Sequence, residues 1–255
     1  MTSMTTELTR RPRRHRLLTP RGLQHIRPLR RALACGTIAD WQLVPWGTNG
    51  TFIVLLEQEI VPDLLAIYKP ARGEAPLWDF PAGTLYRREY ASYLLSRLLG
   101  WSFVPPTVIR DGPYGIGTVQ LYIEPDDQPL RGKSVRSELQ RIALFDLLTN
   151  NADRKASHVF RGKFDQRIWG IDHGLTFHVD PKLRTILWEF CGEPIPSELL
   201  SDLARLLRHR RIVQRLLRSF LAENELAAFW KRCATLVEHP IFPLLNPRRN
   251  IPFGW

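Results

Sequence analysis

The chain is predicted to be an α+β protein of two lobes, with a sheet-rich first lobe over residues 32–124 and a mostly helical second lobe over residues 125–255. Three observations predict this. Between Gly36 and Glu124, short apolar segments with strand-like alternation surround one helical repeat. After Asp172 apolar residues recur at i, i+3 and i+4. Between these regions, Asp153 and Asp172 sit on polar loops beside two short apolar strands.

At 255 residues the chain is long enough for one large domain or two small lobes around a cleft. The formal net charge of +11 is concentrated at the start, because residues 1–31 hold nine of the 36 basic residues and one acid, Glu7. The remaining 27 basic and 24 acidic residues leave the body at +3. Residues 1–31 have too few regularly spaced apolar residues for a core and are read as a mostly disordered basic tail. Such an arm is either a solvated extension or a contact for nucleic acid or an anionic membrane surface, and its Arg-rich, acid-poor composition also resembles an organellar transit peptide. Cys35, Cys191 and Cys233 form no C-x-x-C pair, which argues against a disulfide framework or cysteine-built zinc site and predicts buried free thiols in a reducing compartment. With no apolar run of membrane-spanning length and no secretory h-region, the expectation is a soluble, cytoplasmic protein.

Two strands are expected from GTIADWQLVP and WGTNGTFIVLLE, residues 36–57. The turn Gly47, Thr48, Asn49, Gly50 and Thr51 between them is either an ordinary turn or a cradle of backbone N–H groups for phosphates. The next strand, LLAIYKP, places Leu65, Ile67 and Lys69 on one side and Leu64, Ala66 and Tyr68 on the other. A lysine continuing an apolar face either snorkels at the strand end or pairs with an anion. A candidate partner is Glu89, beside the apolar stripe of a helix over residues 84–100.

A strong amphipathic helix, SVRSELQRIALFDLLTNN, leads to Asp153 and is stopped by Asn150, Asn151 and Asp153, whose short polar side chains compete with the helical backbone. HVF and RIWGI are short strands joined by RGKFDQ, and Asp172 leaves the second, followed by His173 and Gly174. Two loop aspartates separated by a hairpin suit magnesium, which takes one or two carboxylates plus substrate phosphates. The alternative from the residues alone is that Asp153 caps a turn and Asp172 pairs with an arginine. Helices are expected from SELLSDLARLLR, RIVQRLLRSFL and ENELAAFWKRCATLVEH, and the terminal Phe253 and Trp255 either dock on the core or stay exposed.

As an ordered set, these motifs resemble the phosphatidylinositol 3-/4-kinase-like family, above all its type II phosphatidylinositol 4-kinases and an uncharacterised bacterial kinase-like family. The residues that carry the likeness are Lys69-Pro70 with Glu74 and Pro76, the Glu89 helix ending in Leu-Leu-Gly, Val104–Thr107, Gly117–Glu124, Asp153-Arg154 seven residues after Asp146, and Ile171–Leu175. The resemblance implies a two-lobed protein-kinase-like fold, with one main helix in an antiparallel-sheet N-lobe, and an ATP- and Mg²⁺- or Mn²⁺-dependent phosphotransferase. Lys69 and Glu89 would hold phosphates, the 47–51 turn and the Gln120–Tyr122 strand would bind nucleotide, Asp172 would ligate metal, and Asp153 would orient or deprotonate an acceptor hydroxyl. Where these families usually place an asparagine for the second metal, five residues after the catalytic aspartate, this chain has His158. Imidazole suits manganese and later transition metals better than magnesium, so His158 is a candidate ligand, or else it is hydrogen-bonded to a neighbouring carboxylate. The acceptor, a hydroxyl of a protein, lipid or small molecule, is not legible. The alternative function is a catalytically weak nucleotide-binding pseudokinase or nucleotidyl transferase, with a basic tail that binds an anionic partner.

Overall fold

The computed structural model describes residues 26–45, 49–58 and 63–252. Its first lobe is a five-stranded antiparallel sheet in the order β1-β2-β3-β5-β4, built from β1 (Thr37–Leu43), β2 (Phe52–Glu57), β3 (Leu64–Pro70), β4 (Thr107–Gly112) and β5 (Gly115–Leu121). The alternation of β3 puts Leu64, Ala66 and Tyr68 into a core with Val54, Leu56, Val119 and Leu121. The expected opposite side, Leu65, Ile67 and Lys69, therefore faces the cleft. β1 is an exposed edge strand. β4 was not expected as a strand, because TVIRDG buries only Thr107 and Val108 and carries little apolar alternation.

A helix, α1 (Ile26–Cys35), covers the outer face of the sheet. It corrects part of the expected tail, since residues 26–31 are helical and Leu29, Ala32 and Leu33 are buried at the i, i+3, i+4 spacing of a packed helix. Arginines on the other face of that short segment obscured the spacing. Arg110 closes the helix by donating to the carbonyls of Leu33 and Gly36 at 3.2 and 2.6 Å, where the helix dipole favours a cation. Residues 1–25, Gly47, Thr48, Phe253 and Trp255 lie outside the described residues.

The second lobe holds α3 (Lys133–Thr149), a hairpin of β6 (Val159–Arg161) and β7 (Ile168–Gly170), and then α4 (Ser197–Arg208), α5 (Arg210–Leu217) and α6 (Glu223–Glu238). These match the expected helices and hairpin. Packing departs from chain order at α2 (Leu85–Leu99). Its Ala91, Tyr93, Leu95 and Leu99 join the core of the helical lobe, whereas Trp169 on β7 joins the core of the sheet lobe. The thiols are free, as expected, but only Cys233 is buried; Cys35 is exposed and Cys191 half-buried.

Candidate active site

Lys69 is fixed by its strand. β3 pairs with β5 so that Lys69 lies opposite Thr118 and Pro70 opposite Gly117. A Cβ at Gly117 would stand 2.3 Å from the Lys69 carbonyl oxygen, so glycine is what allows the two strands to close beside the lysine. From α2, Glu89 reaches the same point. The helix start is held by Glu74, whose carboxylate accepts from the Tyr86 N–H at 3.0 Å and favours the positive end of the helix dipole. Lys69 Nζ lies 3.0 Å from Glu89 Oε1 and 3.0 Å from Asp172 Oδ1.

Asp172 follows β7 in the left-handed conformation, φ +60°, which aspartate tolerates better than most residues. Its side chain is 46% exposed, so the carboxylate faces open space while Glu89 is shut in at 3%. The Lys69 ammonium, against the opposing effect of burial, holds Asp172 well below the usual carboxylate range. Burial, and the nearby Asp172 charge, leave Glu89 above its ordinary range, with its salt bridge to Lys69 offsetting only part of that. For Lys69 burial acts downward, but the Asp172 and Glu89 carboxylates outweigh it and hold the ammonium above its ordinary range.

His158 Nε2 stands 3.3 Å from Asp172 Oδ2. Its Nδ1 accepts the Lys155 backbone N–H at 3.3 Å, and burial depresses the imidazole to about 4, so at neutral pH the ring is uncharged with its proton on Nε2, toward Asp172. Asp153 lies on the preceding loop, raised by burial and paired with Lys155 at 3.1 Å. Its loop is shaped by the asparagines expected to end α3. Asn150 takes φ +54°, with its side-chain amide donating to His178 and Asp180 carbonyls, and the Asn151 side-chain oxygen accepts the Asp153 N–H.

The residue that joins these loops was not singled out from the sequence. Arg154, fully buried, donates bidentately to Asp146 at 2.9 Å, to the Ile171 carbonyl at 2.8 Å, and meets His173 Nε2 at 2.8 Å. Because Ile171 and His173 flank Asp172, one guanidinium sets the position of both aspartate loops. The seven-residue spacing of Asp146 and Asp153-Arg154 was the available signal.

The nucleotide-side candidates are placed as follows. Asn49 Oδ1 accepts the Ala75 N–H at 2.7 Å, and the Gly50 N–H donates to the Gly73 carbonyl at 2.7 Å. Gly50 and Gly73 pack so closely that a Cβ on Gly73 would stand 2.8 Å from the Gly50 carbonyl oxygen. The turn is thus tied to the chain just beyond Lys69. Gln120 is buried with its amide donating to Thr107 Oγ1 at 2.9 Å, and the Tyr122 N–H donates to the Leu65 carbonyl at 3.1 Å, so neither group is free as it stands. Among the described residues no three His, Cys, Asp or Glu side chains converge as a metal cage. The exposed Asp172 carboxylate could instead hold a divalent cation completed by phosphate oxygens, and His158 beside it offers a nitrogen that favours manganese over magnesium.

No protein-family model matches the chain. Among solved structures it superposes on a Golgi casein kinase with TM-score 0.57 at 17% identity, covering 85% of this chain and 75% of that one. A Golgi casein kinase with Mn/ADP bound gives 0.54 at 16% identity over 88% and 80%. The Helicobacter pylori proinflammatory kinase CtkA gives 0.51 at 13% identity over 82% and 94%. The fold is therefore kinase-like, as expected from the sequence. In sequence the chain is 36% identical over 261 residues to Protein Rv2133c of Mycobacterium tuberculosis, covering 85% of this chain and 93% of that protein, and it belongs to the same family.

Proposed function

We propose that this protein is an ATP- and divalent-metal-dependent phosphotransferase acting on a hydroxyl group. The observation that carries the reading is Lys69 within 3.0 Å of both Glu89 and Asp172, three residues from a strand, a helix and a loop of two lobes. Phosphoryl transfer is mostly positioning and charge neutralisation, so a fixed lysine, its orienting glutamate and two loop aspartates are a sufficient set. Lys69 binds phosphate oxygens while Glu89 keeps its Nζ aimed into the cleft. Asp172 supplies the exposed, ionised carboxylate that holds a divalent cation. That cation, when bound, neutralises phosphate charge. Asp153 accepts a hydrogen bond from the acceptor hydroxyl and takes its proton. The ADP and manganese in one Golgi casein kinase structure support the cofactor class. The phosphatidylinositol-kinase type rests on the order of the Lys69–Leu175 motifs alone, and the acceptor class proposed is a hydroxyl of a protein, lipid or small molecule.

The test uses purified protein with ATP labelled at the γ-phosphate and Mg²⁺ or Mn²⁺. Transfer or hydrolysis of the label is expected. Its absence, or incorporation of an α-phosphate label instead, overturns the reading in favour of a pseudokinase or a nucleotidyl transferase.

His158 gives the metal preference. As a ligand through Nε2 it would have to move its proton to Nδ1 and give up the Lys155 N–H bond, and its nitrogen would favour manganese. Turnover is expected to be higher with Mn²⁺ than Mg²⁺, and His158→Asn is expected to restore magnesium use. Titration of both metals checks this, and the same preference in wild type and variant would show that His158 only faces Asp172.

A further inference from the structure

We propose that the end of α4 and the outer face of α5 form a docking face for anionic lipid bilayers, independent of the catalytic cleft and of residues 1–25. Residues 203–222 contain six arginines and no acid. All six, Arg205, Arg208, Arg210, Arg211, Arg215 and Arg218, are exposed. Among the described residues only Arg205 has a carboxylate partner, Asp202 at 2.6 Å, while Arg210 lies over the Trp230 ring. The near-neutral charge of the body as a whole therefore hides a local concentration of positive charge, bordered by Asp202 and by Glu223, which accepts from Gln214 on α5.

The same face carries apolar side chains that the core leaves out. α5 turns Val213 and Leu217 inward, while Ile212 and Leu216, one helical turn apart, are 57% and 46% exposed. Arg211 and Arg215 repeat the same i, i+4 spacing directly beside them. Exposed aliphatic residues flanked by arginines are the pattern of a helix lying in a membrane interface, its apolar side chains entering the acyl boundary and its cations meeting lipid phosphates. A nucleic acid would account for the arginines but not for Ile212 and Leu216, and the patch offers no exposed aromatic ring for base stacking. The contact proposed is peripheral, and no described helix is long and apolar enough to cross a membrane.

The experiment uses the full chain in co-sedimentation with phosphatidylcholine vesicles with and without phosphatidylserine. Each arginine near an anionic surface contributes about fivefold to partitioning, so Arg211→Glu with Arg215→Glu is expected to lower phosphatidylserine-dependent binding by at least about 25-fold. Ile212→Ser with Leu216→Ser is expected to weaken vesicle binding as well, with a larger share of that loss persisting at high salt, because burial of aliphatic groups is not screened. All four positions are exposed, and unchanged circular dichroism and melting confirm that each variant is folded. Wild-type protein that ignores phosphatidylserine, or charge-reversed protein that binds as well as wild type, overturns the proposal. So does a face that binds duplex DNA through the arginines with the serine variants silent. A dimer that the serine variants dissolve would show that a second copy covers the patch and would also overturn it.

Discussion

Asp172→Asn is expected to lower ATP turnover by on the order of 10²- to 10³-fold or more, the scale of removing one electrostatic group from a transition state, while leaving the melting temperature in metal-free buffer almost unchanged. The two halves of that expectation come from the same geometry. Asp172 is held ionised chiefly by Lys69, so its charge is present at any working pH, and nearly half of its side chain is open to a ligand. An asparagine keeps the shape and one oxygen but removes the charge that holds a cation. Stability changes little because Lys69 keeps Glu89 at 3.0 Å as its counter-charge and Glu89 is relieved of a nearby like charge. Turnover equal to wild type, measured with either metal, would remove the kinase reading. A fall in melting temperature matching the fall in turnover would instead make Asp172 a structural residue.

The candidate site was legible where a residue broke a local rule. Lys69 stood out because a cation ended an apolar strand face, and Asp172 because a carboxylate followed by His173 and Gly174 left a strand. The structure brings those two together with Glu89 and His158 within 3.3 Å, and sets Asp153 on the adjoining loop. Arg154 could not be ranked in the same way, because an arginine on a polar loop looks ordinary until its complete burial is seen. The α5 surface was hidden for a related reason. A net charge sums over the chain, whereas a patch depends on which arginines share a face. α1 was missed because tail composition was averaged over residues 1–31, a window that holds only one of its buried core side chains, Leu29, and cuts the helix before Ala32 and Leu33.

The position of α2 also could not be read from chain order, and it bears on how the site is kept assembled. Arg88, buried on the face of α2 that meets the helical lobe, pairs with Glu225 on α6 and donates to the Thr176 carbonyl at 2.7 Å. Trp101, just past the helix, donates to Asp202 at 2.7 Å, and Arg205 donates to the Leu99 carbonyl at 2.9 Å. Glu89 is thus carried by a helix anchored at both ends to the lobe that supplies Asp172. The Lys69–Glu89 contact therefore joins that lobe to the sheet, together with the Lys69–Asp172 pair and Trp169 in the sheet-lobe core.

Asp146→Ala is expected to destabilise the protein by about 3–5 kcal/mol, the cost of leaving a buried charge without its partner. For a chain of this size that corresponds to a fall in melting temperature of about 10 °C, at about 2–4 °C per kcal/mol. Asp146 and Arg154 both have no exposed side-chain surface, and the carboxylate takes two hydrogen bonds at 2.9 Å from the guanidinium and one from Asn151. Without it Arg154 has only carbonyls and the neutral His173 ring, which burial keeps well below its usual range, so that ring cannot replace a carboxylate. A second variant separates folding from positioning. Asp146→Leu with Arg154→Met removes both charges, and apolar replacement of a buried pair is often neutral or better, so most of the lost stability is expected to return. Turnover is not expected to return with it, because the methionine cannot donate to the Ile171 carbonyl that precedes Asp172. Calorimetry and turnover on the same samples check both expectations. A double variant that regains stability and full turnover would show that the aspartate loops hold their positions without Arg154.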